Sequence, residues 1–281
     1  MNTKSLKRSS AEKLFIPGRI YLYFFILLTL FPIIFTFITS LKSTSEFYRN
    51  IFGLPEKIML SNYWSAWFEG SIGKYFGTSL KVVGTTVVAI ILLGALAGYA
   101  LAKMRIPHAD LIILVLLTLN MFPSESVIMP LYLMLAKLRM TGKMISLIIP
   151  YTSWGLPFTI YVFKNFFATL PSELSEAARI DGCSEIKLFF RIVIPLMLPP
   201  VATTAIFSFT GWWGELLWAS VALSASTLST IPLGLLAFQG QYGTDWGPLS
   251  AAICIVLIPL IIVFFAFQKY FIQGLTAGAI K

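Results

Sequence analysis

Long apolar runs separated by short polar segments set the pattern of this chain. Residues 20–41 form an uncharged stretch of 22 positions, enough at 1.5 Å per residue to cross a hydrocarbon core of about 30 Å. The stretch predicts a membrane-spanning helix behind a basic tail, residues 1–19. That tail resembles the start of a signal peptide. The apolar run, however, exceeds the usual core of about 7–15 residues and no small-x-small cleavage site follows it, so it reads as an uncleaved first span. Comparable runs predict helices over 79–102, 111–136, 144–165, 199–222 and 246–268. The fold class this implies is an all-α integral membrane protein with six transmembrane helices.

Within the runs, individual residues refine the picture. Gly94, Gly98 and Ala102 recur every fourth position of the second span, a small-residue face that lets helices approach closely. Pro123 and Pro130 remove backbone donors beside Asn120 and Glu125, so the third span is expected to be broken. Pro150 and Pro157 are expected to kink the fourth. The fifth holds Glu215 and the sixth Pro259.

Six spans put both termini on one side. With that side cytoplasmic, the inner segments hold thirteen Lys and Arg and the outer ones seven, in the direction of the positive-inside rule. Lys137, Arg139 and Lys143 run against it. This orientation sends residues 168–198 and the tail 269–281 inward, and the segments 42–75 and 224–245 outward. Residues 1–281 read as a single transmembrane domain, with no repeat and no linker.

Composition narrows the function. Charged residues make up 12% of the chain and hydrophobic ones 57%, against about 25% charged in soluble domains, and the mean hydropathy is +0.83. The net charge of +9 fits cytoplasmic loops facing anionic lipid. It does not point to nucleic acid, because no basic face with interleaved aromatics occurs outside the amino-terminal tail. Cys183 and Cys254 have no metal-ligand neighbours, and the only histidine, His108, is isolated. No phosphate-binding G-x-x-x-x-G-K-[ST] run is present, and no nucleophile–base or paired-carboxylate arrangement sits in a catalytic context. The expectation is a non-catalytic chain that holds no metal and no cofactor of its own.

Against this background SELSEAARIDGCSEIKLFF, residues 172–190, stands out as dense in charge. Pro171 and Ser172 suit a helix start, Glu173 and Glu176 complement its positive end, and Gly182 suits a left-handed stop. Ser184 then caps a second helix that runs back to the membrane surface. The first helix, about eleven residues, is too short to persist alone in water and calls for a partner. Ala177 and Ala178 would let it seat deeply in a groove, with an acidic edge formed by Glu173 and Glu176. The alternative is a helix lying on the bilayer, which would want the basic and bulky apolar faces that this one lacks.

The spacing Glu176-Ala177-Ala178, three residues, Gly182, nine residues, Ile192, then Ile194-Pro195 resembles the EAA loop of permease subunits in binding-protein-dependent ABC importers. Asp181, Phe189 and Phe190 fit that pattern, and Ile194 stands where leucine is usual. IPLGLLAF at 231–238, YGTDWGPLSAA at 242–252 and the ending QKYFIQGLTAGAIK are similar to the carbohydrate branch, the six-span subunits of the maltose type. The resemblance covers nearly the whole chain. It implies a coupling helix held in a cleft of a cytoplasmic ATPase dimer, with Glu176, Ala177, Ala178, Asp181 and Gly182 as the contact set. It also implies ATP and magnesium on that partner, a second permease subunit, an extracytoplasmic solute-binding protein meeting the region 224–245, and a carboxyl-terminal tail reaching toward the ATPases. The location implied is a bacterial or archaeal cytoplasmic membrane.

Charges near the bilayer centre cost about 2.5–3.5 kcal/mol and usually face a bundle interior. Glu125 and Glu215, with Asn120 and the aromatic pair Trp212 and Trp213, are therefore the candidates for a substrate pathway. The stretch GWWGELLW is similar to the family's tryptophan-asparagine-acidic pattern, with Gly214 in the place of asparagine. Aromatic faces beside carboxylates and amides suit a carbohydrate. The other reading is that both glutamates brace helix breaks or subunit contacts. An autonomous secondary transporter, a permease for a non-sugar solute and a membrane scaffold are the competing functions. The first of these would want matched inverted repeats.

Overall fold

The computed structural model describes residues 3–279 apart from 105, 225, 241 and 242, with side chains from 18 to 270 except at those four and at 172, 175, 179 and 185. The carboxyl-terminal GLTAGAIK side chains and Tyr242 of the YGTDWGPLSAA stretch therefore lie outside the described residues.

The chain is helical nearly throughout. In order come α1 (Thr3–Ser40), α2 (Thr44–Arg49), α3 (Ser61–Trp64), a wider π-helical stretch (Ser65–Glu69) and α4 (Ile72–Lys103). Then follow α5 (Ala109–Leu119), α6 (Ser124–Lys137), α7 (Ile145–Thr169), α8 (Ser172–Ile180) and α9 (Glu185–Leu188). After a second π-helical stretch (Phe189–Val193) come α10 (Ile194–Leu196), α11 (Leu198–Trp213), α12 (Leu217–Ala222) and α13 (Ile231–Leu236). A minimal antiparallel ladder, β1 (Gln239–Gly240) with β2 (Gly243–Thr244), precedes α14 (Trp246–Ala279).

Among the described residues, four stretches are long and apolar enough to cross a membrane: Gly18–Ser40, Ile72–Lys103, Ile145–Thr169 and Trp246–Tyr270. Two bent pairs raise the number to six if each is one span. These are Ala109–Leu119 with Ser124–Lys137, bent by 92°, and Ile186–Leu196 with Leu198–Trp213, bent by 74°. The first bend sits at the expected break: α5 ends at Leu119, and Pro123, which has no N–H to carry a ladder onward, stands at the N-cap of α6. The run 199–222 differs from its expectation of one continuous helix. It stops at Gly214 and resumes at Leu217. In the run 144–165, α7 carries both Pro150 and Pro157 inside one helix. Membrane helices tolerate such prolines when neighbours re-satisfy the freed carbonyls.

Two compact units emerge, residues 1–70 with 238–255 and residues 71–237 with 256–281. In the first, the buried Lys42 ammonium donates to the carbonyls of Asn50 and Ile51 at 2.8 and 3.1 Å. Asn62 bridges the carbonyls of Ser40 and Lys42, both at 2.8 Å. Asp245, Trp246 and Gly247 complete this knot. Thr44 donates to Asp245, Trp246 stacks on Phe47 at 5.0 Å, and a side chain at Gly247 would meet the Lys42 carbonyl at 2.5 Å.

In the second unit, α4 lies along α7 through small residues. A Cβ at Gly94 would collide with the Thr159 methyl at 2.5 Å, and one at Gly98 would come within 3.0 Å of the Lys164 backbone nitrogen. With no apolar drive between helices in lipid, such close backbone approach is what holds the pair. At the end of α4, Lys103 donates to the carbonyl of Leu170 at 2.7 Å, and Lys164 of α7 pairs with Asp110 of α5.

Candidate functional site

The polar hairpin is built on the end of α7. Helix α8 begins two residues past α7 and ends in a Schellman-type turn. The Cys183 N–H reaches back to the Ala178 carbonyl at 2.9 Å, and Gly182 adopts φ +74°. A Cβ at Gly182 would meet nothing within 4 Å, so the requirement for glycine is conformational, not steric. Ser184 starts α9, its hydroxyl accepting the Lys187 N–H at 3.4 Å.

The two adjacent alanines part company. Ala178 is 5% exposed and packs with Leu188, Phe189, Val193 and Met197 against Ala95 and Tyr99 of α4 and Phe163 and Phe167 of α7. Tyr99 meets Phe167 and Phe189 edge-on, at 5.4 and 5.2 Å. Ala177 is exposed together with Glu176, Asp181 and Gly182, and Ile180 is 86% exposed. The hairpin thus has an apolar underside seated on its own protein and an upper face, mixed acidic and apolar, that nothing among the described residues covers.

A second feature lies where α5 breaks from α6. A cavity of about 800 Å³ opens there, lined by Asn120, Glu125 and Ser153 and by the indoles of Trp154, Trp212 and Trp218. Pockets of this size are typical of small-molecule sites. Trp212 stacks on Tyr151 at 4.7 Å and 11°, Trp154 lies 6.1 Å from Trp212, and Trp218 meets Trp154 edge-on at 6.0 Å. The Trp212 indole nitrogen is buried and has no hydrogen-bond partner among the described residues. Asn120 donates weakly to the Trp154 carbonyl at 3.4 Å.

Glu215 also lines this cavity, but its carboxylate is engaged. It accepts the Tyr151 hydroxyl and the backbone N–H groups of Trp218 and Ala219, the latter two at 2.6 and 3.0 Å. Those N–H groups are orphan donors at the start of α12, so Glu215 caps the helix that resumes after Gly214. Glu125 is exposed and receives a single donor among the described residues, the Ser124 hydroxyl at 3.2 Å.

Of the pathway candidates, Asn120, Glu125, Trp212 and Glu215 come together here, whereas Trp213 stands apart. Its ring is buried against Phe209 at 5.1 Å, and its N–H donates to the Val256 carbonyl at 3.1 Å. Trp154, Ser153 and Trp218 were not singled out from sequence. The available signal was Trp154 in mid-span, away from the interfacial belts where tryptophan usually anchors.

Residues 90–277 match the family model of the binding-protein-dependent transport system inner membrane component. The sulfoquinovosyl glycerol transport system permease protein SmoH of Agrobacterium fabrum is 33% identical over 90% of this chain and 89% of its own length. The diacetylchitobiose uptake system permease protein NgcG of Streptomyces coelicolor is 32% identical over 89% and 83%. The arabinooligosaccharides transport system permease protein AraQ of Bacillus subtilis is 33% identical over 91% and 92%. Among solved structures, a chain of a bacterial ABC transporter involved in import of the acidic polysaccharide alginate superposes with a TM-score of 0.77, covering 96% of this chain and 99% of that one at 22% identity. At that identity the likeness speaks for the fold.

Proposed function

Because the chain belongs to the inner-membrane components of binding-protein-dependent transport systems, we propose that it is the transmembrane permease subunit of an ATP-driven sugar importer. It forms half of the translocation pathway beside a second permease subunit. In this reading the chain has six spans, with both termini and the α8–α9 hairpin in the cytoplasm of a bacterial or archaeal cell, in the direction of the positive-inside rule. A pair of ATPase subunits supplies ATP and magnesium chemistry, and an extracytoplasmic solute-binding protein delivers the sugar near residues 224–245. Sugar as cargo is supported by the relatives, whose names specify diacetylchitobiose, arabino-oligosaccharide and sulfoquinovosyl glycerol transport.

The observation that carries the coupling role is the split of α8 into two faces. Ala178 ties the helix to α4 and α7 through a shared apolar cluster, while Glu176, Ala177 and Asp181 are left for a partner. A helix of nine residues is too short to hold its shape in water unaided, and here it is fixed from below. A force applied to its free face is thereby delivered to membrane helices. In this reading Glu176 and Asp181 meet basic groups in the ATPase cleft, and Gly182 sets the angle of the turn. Asn120, Glu125, Trp212 and Glu215 border the pathway.

The test is uptake of labelled sugars in cells carrying the complete importer, with and without the ATPase. Uptake lost with the ATPase, and lost again in a Glu176→Lys variant that still reaches the membrane, is the expected result. Uptake that survives loss of the ATPase would establish an autonomous transporter instead.

A further inference from the structure

The cavity at the α5–α6 break has a one-signed lining. Its carboxylates are Glu125 and Glu215, and no Lys, Arg or His lines it among the described residues. The remaining polar groups are neutral: the Asn120 amide and the Ser124 and Ser153 hydroxyls. In a low-dielectric surround an anionic ligand here would meet like charge with no cation to offset it. An uncharged sugar would meet no such barrier. Its hydroxyls donate charge-assisted hydrogen bonds to a free carboxylate, and its C–H faces lie on indole rings.

The two glutamates are not equivalent. Glu215 already accepts three donors from its own chain, so it positions α12 and the Trp218 ring. Glu125 has only the neighbouring Ser124 hydroxyl and keeps most of its acceptor capacity. Half-buried Trp154 and Trp212 provide ring surface.

We propose that this cavity is a binding site, on this chain itself, for an uncharged oligosaccharide, with Glu125 accepting hydroxyl hydrogens and Trp154 and Trp212 supplying the stacking surface. The inference deepens the importer reading above and rests on it. It assigns contact with the sugar to this subunit and selects neutral over acidic saccharides.

The assembled membrane complex in lipid nanodiscs, without its solute-binding protein, isolates this site from that protein's own selectivity. Maltotriose, xylotriose and raffinose serve as neutral probes and trigalacturonate as the acidic one, with tryptophan fluorescence as the readout. At least one neutral probe should perturb the emission saturably, and trigalacturonate should bind at least about tenfold more weakly, as like-charge juxtaposition demands. Glu125→Gln should shrink that ratio, Glu125→Arg should reverse it, and Trp154→Ala should weaken the neutral probe. A complex that performs ATP-driven uptake yet responds to no probe, or equally to both classes, overturns the site and leaves the importer reading standing. So does a Glu125→Gln variant that no longer co-purifies with the second permease, since the residue would then be an interface brace. A complete importer that takes up no saccharide overturns the importer reading.

Discussion

The Tyr151 hydroxyl donates to the Glu215 carboxylate, joining α7 to the start of α12 across 64 positions of sequence. Because the same carboxylate caps α12, Glu215→Ala leaves a hydroxyl and two N–H groups without an acceptor. The expected loss is about 1–3 kcal/mol, with about 1 kcal/mol for Tyr151→Phe, which removes one donor and strands nothing. Thermal unfolding of the detergent-purified chain measures both. A Glu215→Ala variant as stable as the parent would show that the cap contributes nothing.

Gly182→Val places a β-branched residue at φ +74°. The open space around the position confines the cost to backbone strain of about 1–2 kcal/mol. We expect normal membrane insertion, with ATP hydrolysis uncoupled from uptake because α9 leaves the turn at a different angle. Gly182→Asn should retain coupling, since asparagine tolerates this conformation. Paired measurements of ATPase rate and uptake decide it.

Gly98→Val would push a side chain into the backbone of Ile160 and Lys164. Backbone cannot yield as a flexible side chain can, so α4 and α7 must separate, at about 1–3 kcal/mol or more. Gly84→Ala on the same helix meets nothing within 4 Å and should fall within about 0.5 kcal/mol of the parent. Purified yield and melting temperature of the two variants provide the comparison.

Ala178→Asp and Ala177→Asp separate the two faces of α8. The first buries a carboxylate in the cluster of Tyr99, Phe163 and Phe189 and should lower the stability of the chain alone. The second should leave the melting temperature unchanged and reduce co-purification of the ATPase. Equal behaviour of the two variants in both assays would remove the basis for a two-faced helix.

Much of this architecture was legible because membrane helices announce themselves by run length, and because Pro123 and Gly182 act through their own backbone. The break at Gly214 was not. GWWGELLW reads as apolar helix with one charge, and the acceptor role of Glu215 depends on Tyr151, a residue far away in sequence. Nor could sequence separate Ala177 from Ala178. Identical neighbours about 100° apart on a helix differ only in what lies beneath them, and here that is Leu188 and Phe189 folding back. Trp213 and Trp212 pose the same difficulty, one ring turned to Phe209 and the other to Tyr151.

The Lys103 ammonium holds the Leu170 carbonyl at 2.7 Å, at the joint between α7 and α8. The end of α4 is thereby clamped to the root of the hairpin, and Gly98 locks the same two helices a turn or so deeper. A tug on α8 cannot flex α7 by itself. In the proposed coupling role it would turn a two-pronged lever, with the stroke reaching the bilayer set by how stiffly that fork is joined at its handle.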